Sequence, residues 1–223
     1  MNMKIYFFLL FLLLFLHFPE SSAQERKGWG GDIGLYSNSD SNLGFHYSIS
    51  HHWMFNKYIG TSVGAMFFHT QLNSSGWWVD NDKTFYSLDE RTIKRLNITS
   101  SLFAMYPSYK DVGLYNHVSF FFDPIPVDGI SLNKTTFGTP GQESETFKKT
   151  RYSGFSPGVF AEAGIYYDLK KENNGLKLFC GFGLGWYDAY HAFNHSTIDG
   201  QKLSEHVPQN KNYYRISLRI IGL

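Results

Sequence analysis

Eight stretches of this chain exchange apolar and polar side chains at every step, and no segment after residue 23 is apolar for even ten residues. A chain of this kind builds strands with two unlike faces and no membrane-crossing helix. The last stretch, Tyr213-Tyr214-Arg215-Ile216-Ser217-Leu218-Arg219-Ile220, alternates almost to the final residue. A strand placed there needs a partner, and in a closed barrel that partner is the first strand.

The alternating stretches are Trp29 to Ser37, Leu43 to Ser50, Tyr58 to Leu72, Arg91 to Tyr106, Leu114 to Phe122, Ser156 to Leu169, Leu176 to Tyr190 and the final one. Turn-rich Asn38 to Asn42 and the break Pro107-Ser108-Tyr109-Lys110-Asp111 separate neighbours. Connections after the second, fourth and sixth strands are short. Those after the third, fifth and seventh are long and polar: Asn73 to Glu90, the aperiodic run from Pro124 to Tyr152, and His191 to Asn212. These three read as loops. Alternate connections of an up-and-down barrel emerge at the same end, so loop length sorts by end of the structure.

One parity of the strands carries Trp29, Phe45, Tyr47, Phe67, Tyr106, Phe120, Phe122, Tyr167, Trp186 and Tyr214, several near strand ends as in interfacial aromatic girdles. The other is mainly Gly, Ser, Thr, Asn, Tyr and His. A face in water would carry many Lys and Glu. Small residues with a few opposed charges instead suit the cramped interior of an eight-stranded barrel. Asp32, Arg95, Glu162, Lys177, Arg215 and Arg219 form the expected lumen charge network. Asp32 and Arg219 fall at similar heights on neighbouring strands, and Glu162 lies within reach of Arg215 or Arg95. The expected role is a neutralising plug rather than a polar path.

Residues 1–23 read as a secretory signal peptide: Lys4, an apolar core from Ile5 to Phe18, and small residues at Ser21-Ser22-Ala23, leaving residues 24–223 as one barrel domain. Cys180 is the only cysteine, so no internal disulfide forms. The 21 Phe, 15 Tyr and 21 Gly fit a β-protein with close backbone approaches. A formal net charge of +1 gives no electrostatic basis for a nucleic-acid partner.

Taken together, the signal peptide, eight alternating strands, sided loops and terminal strand resemble the small OmpA-type and OmpX-type outer-membrane barrels of Gram-negative bacteria. The resemblance is one of pattern and spans residues 24–223. It implies an all-β fold, an eight-stranded antiparallel up-and-down transmembrane β-barrel in the cell outer membrane, monomeric and without cofactor or metal. Its expected partners are outer-membrane lipid, the barrel-insertion machinery that reads the last strand, and an extracellular ligand met by the loops. The family commonly ends on an aromatic residue in phase with the apolar face. Here Gly222-Leu223 ends the chain, with Leu223 out of phase with Tyr214, Ile216, Leu218 and Ile220 unless a bulge intervenes.

The function expected is non-enzymatic, in envelope integrity or surface interaction. The alternatives are a lipid A-modifying barrel enzyme, a narrow pore and a soluble periplasmic lipocalin-like barrel. His46 with Ser48, and His117 with Ser119, put a base and a nucleophile on one strand face. The first pair is similar to the His-x-Ser of outer-membrane lipid A deacylases, though Ile49 stands where that family often has Asn. His191, His195 and His206 read as solvated loop histidines, because no carboxylate or cysteine cluster completes a metal site. Trp77-Trp78 is the expected contact anchor of the loops, its alternative being to fold back on the rim.

Overall fold

The computed structural model describes residues 26–38, 43–71, 76–81, 83–88, 92–124, 127–138, 143–152, 156–169, 175–207 and 209–223. The segment read as a signal peptide lies outside them. Strands β1 (Arg26–Ser37), β2 (Leu43–Met54) and β3 (Ile59–Gln71) lead to a hairpin, β4 (Gly76–Val79) and β5 (Thr84–Leu88), in the first long connection. Next come β6 (Thr92–Tyr109) and β7 (Val112–Phe122), then a second hairpin, β8 (Val127–Thr136) and β9 (Glu143–Tyr152). After β10 (Pro157–Asp168) and β11 (Leu176–Tyr187), the third long connection holds a helical turn, α1 (His191–Asn194), the small hairpin β12 (Thr197–Ile198) and β13 (Gln201–Lys202), and a 3-10 turn at Leu203–Glu205. The chain closes with β14 (Asn212–Gly222).

Eight of these strands form a closed antiparallel barrel in the order β1-β14-β11-β10-β7-β6-β3-β2. Its seam is the pairing of β1 with β14, from Gly30 opposite Ile221 to Ser37 opposite Tyr214. The expected all-β, eight-stranded architecture is therefore the one observed. Large apolar side chains point outward from all eight strands: Ile33 and Leu35, Tyr47 and Ile49, Val63, Leu96, Leu114, Ile165, Phe182 and Leu184, Ile216 and Leu218 are all exposed. Aromatic residues gather toward the two rims, Tyr58, Tyr106, Tyr109 and Tyr167 at the short-turn end and Phe45, Trp186 and Tyr214 toward the other. An apolar exterior around a filled, polar-cored interior is the reverse of a lipocalin.

Two long connections expected to be loops are instead strands. β4, β5, β8 and β9 make a four-stranded antiparallel sheet above the barrel. One face of it packs Tyr86, Leu88, Ile130 and Leu132 against Tyr190, Phe193, Ile198, Leu203 and Val207 of the third connection and Ile93 of β6. The long-loop end thus carries a cap with its own core. Pro107 does not break the sixth element either: β6 runs on to Tyr109 through a register shift between Pro107 and Tyr109. A proline lacks the ladder N–H, and an irregularity of this kind accommodates it.

No bulge interrupts β14. Ile221 and Leu223 keep the inward parity and are buried with Met54, Phe103, Met105, Tyr115, Tyr166 and Phe179 at the short-turn mouth. Leu223 is a plug residue rather than a lipid-facing one, which explains why it is out of phase.

Candidate functional site: a charged layer in the lumen and a cap above it

The barrel interior is built in three layers. Toward the cap, Tyr36, Met66, Phe68, Phe121, Phe160, Tyr187 and Tyr213 fill the lumen. Tyr36 stacks on Phe68 with centroids 4.6 Å apart, and Phe121 stacks on Phe160 at 5.4 Å. The cluster containing Leu223 fills the opposite mouth. Both apolar layers come from the inward parity, where scattered Phe and Tyr are easily overlooked among Gly, Ser and charges.

Between them lies the ionic layer. Asp32 on β1 pairs with Arg215 and, at 3.2 Å, with Arg219, both on β14. Glu162 on β10 takes Arg215 Nε at 3.3 Å and Arg219 Nη2 at 3.4 Å. The Tyr115 hydroxyl also donates to Glu162, as does Ser217 Oγ at 2.6 Å. Arg219 Nη2 further donates to His117 Nδ1 at 3.2 Å, and the Arg215 guanidinium lies 5.5 Å from the Phe160 ring centre. Two carboxylates and two guanidiniums, each nearly excluded from solvent, leave this set neutral. A buried charge survives only when paired and hydrogen-bonded in this way.

Four of the six expected network residues, Asp32, Glu162, Arg215 and Arg219, are thus brought together. Arg95 is not among them: it pairs with Asp123 at 3.6 Å, because its strand places it nearer the cap than Glu162. Lys177 also falls outside. One residue into β11, it sits opposite Asp168 and pairs with it at the short-turn mouth. Tyr115 and Ser217 were not singled out from sequence; their inward parity was the available signal.

The histidine and serine pairs do not assemble as catalytic pairs. His46 Nε2 lies 3.3 Å from Asp32, and its ring stacks on Tyr36. His117 is held by Arg219, while Ser119 is buried on the same face. Ser50 does lie within hydrogen-bonding distance of a histidine, 2.8 Å from His52 Nε2, and that pair too is enclosed in the lumen. Facing inward between apolar layers, none of these groups meets the outer surface.

In the cap, Trp77 and Trp78 part company because successive strand residues face opposite ways. Trp77 turns inward, correcting its assignment as an exposed anchor: its indole stacks on His206 with centroids 3.8 Å apart and on Tyr86 at 5.7 Å. Burial against this ring pushes the His206 pKa below its ordinary 6.5. Trp78 is 50% exposed, beside Phe85 and Phe137. On the inner face, Asp199 accepts from Tyr86 at 2.8 Å and pairs with Lys134 at 3.1 Å. These two hydrogen bonds hold its carboxyl below the usual range. His191 and His195 lie side by side with ring centres 4.3 Å apart, and no group of metal-ligating side chains occurs among the described residues.

No family model matches the sequence, and no curated protein matches it. Among solved structures, the chain is similar to Neisserial surface protein A at 12% identity, over 89% of this chain and 98% of that one, with a TM-score of 0.44. It is similar to a major outer membrane protein from Thermus thermophilus at 12% identity, over 88% and 99% of the two chains, with a TM-score of 0.45. A de novo designed transmembrane β-barrel aligns at 11% identity over 87% and 93%, with a TM-score of 0.32. These are likenesses of fold between distant chains.

Proposed function

We propose that this protein is an integral outer-membrane barrel of a Gram-negative bacterium, non-enzymatic, with its cap facing the cell exterior in surface interaction. The single observation carrying the membrane reading is the exposed apolar belt on all eight barrel strands. A continuous apolar surface of this extent marks contact with lipid or protein, and a closed barrel satisfies its backbone groups without water. Outer-membrane barrels place short turns in the periplasm and long connections outside, which supports an outward-facing cap. A belt that runs the whole way round supports monomeric insertion with lipid as the partner. The insertion machinery is the further partner, reading β14 as the last strand to close.

A pore reading finds no support in a lumen filled by two apolar layers around paired charges. A deacylase reading finds none in His46 and Ser48, which lie on the wall facing the lumen rather than lipid. The test is fractionation. The protein is expected in the detergent-soluble envelope fraction, with electrophoretic mobility that changes on boiling; recovery as a soluble periplasmic monomer would overturn the proposal.

A further inference from the structure

The cap's sheet has a second face, and its composition is unlike both the core beneath it and the belt below. Cross-strand pairing lines up two rows across all four strands. The first is Trp78, Phe85, Thr135 and Ser144; the second is Gly76, Ser87, Asn133 and Thr146. Phe137 extends the aromatic end. Its backbone N–H donates to Lys83 O at 2.8 Å, which ties it to the β4–β5 turn and keeps its ring 5.3 Å from Trp78. Trp78 and Phe85 are 4.9 Å apart. A β-carbon added at Gly76 would fall 2.3 Å from the Phe85 ring, so the glycine is what lets that ring lie down against the sheet.

The face therefore carries a platform of mutually tilted rings, Trp78 at 51° to Phe85 and at 42° to Phe137, that passes directly into hydroxyl and amide groups. Thr146 Oγ1 donates to Asn133 Oδ1 at 2.8 Å, orienting the amide so that its NH2 end faces away from that bond. No carboxylate or guanidinium stands in either row; the charges that flank them are Asp80 and Lys83 of the β4–β5 turn beyond the aromatic row and Lys148, opposite Ser131, beyond the other.

We propose that this face binds a neutral glycan, with pyranose rings laid over Trp78, Phe85 and Phe137 and their hydroxyls meeting Asn133, Thr135 and Thr146. The C–H face of a pyranose is weakly positive at hydrogen and complements the negative face of an aromatic ring. Its hydroxyl rim needs donors and acceptors beside the rings, which the two rows supply. An apolar protein partner would call for the platform to continue in apolar residues, and a sulfated or sialylated glycan would call for cations within the rows. Neither is present in them. The inference rests on the surface-interaction part of the proposed function. It is tested on purified protein in detergent, so its failure leaves the membrane reading standing.

The full chain in detergent micelles is applied to immobilised gluco-, manno- and galacto-configured neutral hexasaccharides, with sulfated and sialylated sets alongside. Binding to at least one neutral set is expected, weakened at least tenfold by Trp78→Ala and by Phe85→Ala. Asn133→Ala, which removes no aromatic packing, is expected to weaken it severalfold while heat-modifiable mobility is kept. Absence of binding to every neutral set would overturn the proposal. So would binding confined to the charged sets, or neutral binding unchanged in Trp78→Ala and Asn133→Ala. A dimer of the wild-type chain that Trp78→Ala dissociates would assign the face to a second copy and equally overturn it.

Discussion

Arg219 on the last strand stands directly opposite Asp32 on the first and reaches its carboxylate at 3.2 Å, so the seam that closes the barrel also neutralises its interior. Closure and charge compensation are one event: until β14 docks on β1, Asp32 has neither guanidinium. The same two arginines reach across the lumen to Glu162 on β10. This cross-linking makes the ionic layer a specification of register, since a shift of one residue would turn Arg215 and Arg219 out toward the belt.

Glu162→Gln keeps the shape of the side chain and leaves an unbalanced cation in the lumen. Breaking one partner of a buried ionic set costs about 3–5 kcal/mol. Urea unfolding of barrels folded into lipid vesicles is expected to show a loss of that size. Glu162→Gln with Arg219→Met is expected to recover part of it, and equal stability of the single variant and wild type would contradict the reading.

Gly181 marks where the ionic layer is tightest. A β-carbon there would lie 2.1 Å from the Tyr115 hydroxyl and 2.9 Å from Glu162, so Gly181→Ala must displace the hydroxyl from the carboxylate. A loss of about 1–3 kcal/mol is expected, the usual cost of overpacking. At Gly31 an added β-carbon meets only Ser48 O at 3.7 Å. Gly31→Ala is expected to be tolerated within about 1 kcal/mol, and the difference between the two is the measurement.

The filled lumen should not conduct. Wild-type protein in planar bilayers is expected to be silent. Phe160→Ala is expected to cost about 3–5 kcal/mol as a core truncation and to leave the bilayer silent, because the layer around Phe103, Phe179 and Leu223 still closes the other mouth. Steady ohmic conductance of the wild-type protein would contradict the three-layer interior.

His206 gives the cap a pH dependence with a definite sign. Its pKa is lowered by burial in the folded state, so the cap is at full strength above pH 6.5, the ordinary value, and weakens as pH falls from there through the folded value. NMR titration is expected to place His206 below 6.5 and to move it up in Trp77→Ala, where the covering ring is gone. Asp199 acts at lower pH: its hydrogen bonds from Tyr86 and Lys134 contribute above about pH 3.8 and are lost as the carboxyl protonates. Hydrogen exchange of the β4, β5, β8 and β9 amides, corrected for intrinsic rates, is expected to quicken as pH falls from about 7.5 to about 5.5, across the ordinary histidine range, and His206→Phe is expected to abolish most of that change.

The barrel was legible because each of its strands has one wall in a uniform environment. Ile33, Leu35, Ile216 and Leu218 alternate cleanly with Gly34, Arg215, Ser217 and Arg219, and the parity placed Asp32 beside Arg219. The cap was not legible for the opposite reason. In β4 and β5, Trp77 and Trp78, or Phe85 and Tyr86, are adjacent aromatics facing opposite ways, which erases the period-two signal. In β8 and β9 the inward set includes Lys134 and Lys149 beside Ile130, Leu132 and Phe147, so polarity suggested a loop. The lumen plugs were missed because Phe160, Phe179 and Tyr187 share the polar parity, and Lys177 was misplaced because parity says which wall a residue faces but not how high it stands.

The outward direction of the apolar wall is tested most directly at Cys180, the single cysteine, exposed on the outer face of β11 between Leu178 and Phe182. A fluorophore attached there in unfolded protein, followed by folding into lipid vesicles, reports which medium touches the belt. Strong quenching by quenchers carried on lipid chains, with little by aqueous iodide, is the expected result. Quenching by iodide as efficient as in the unfolded chain, with none from the lipid-borne quencher, would contradict a membrane-embedded barrel.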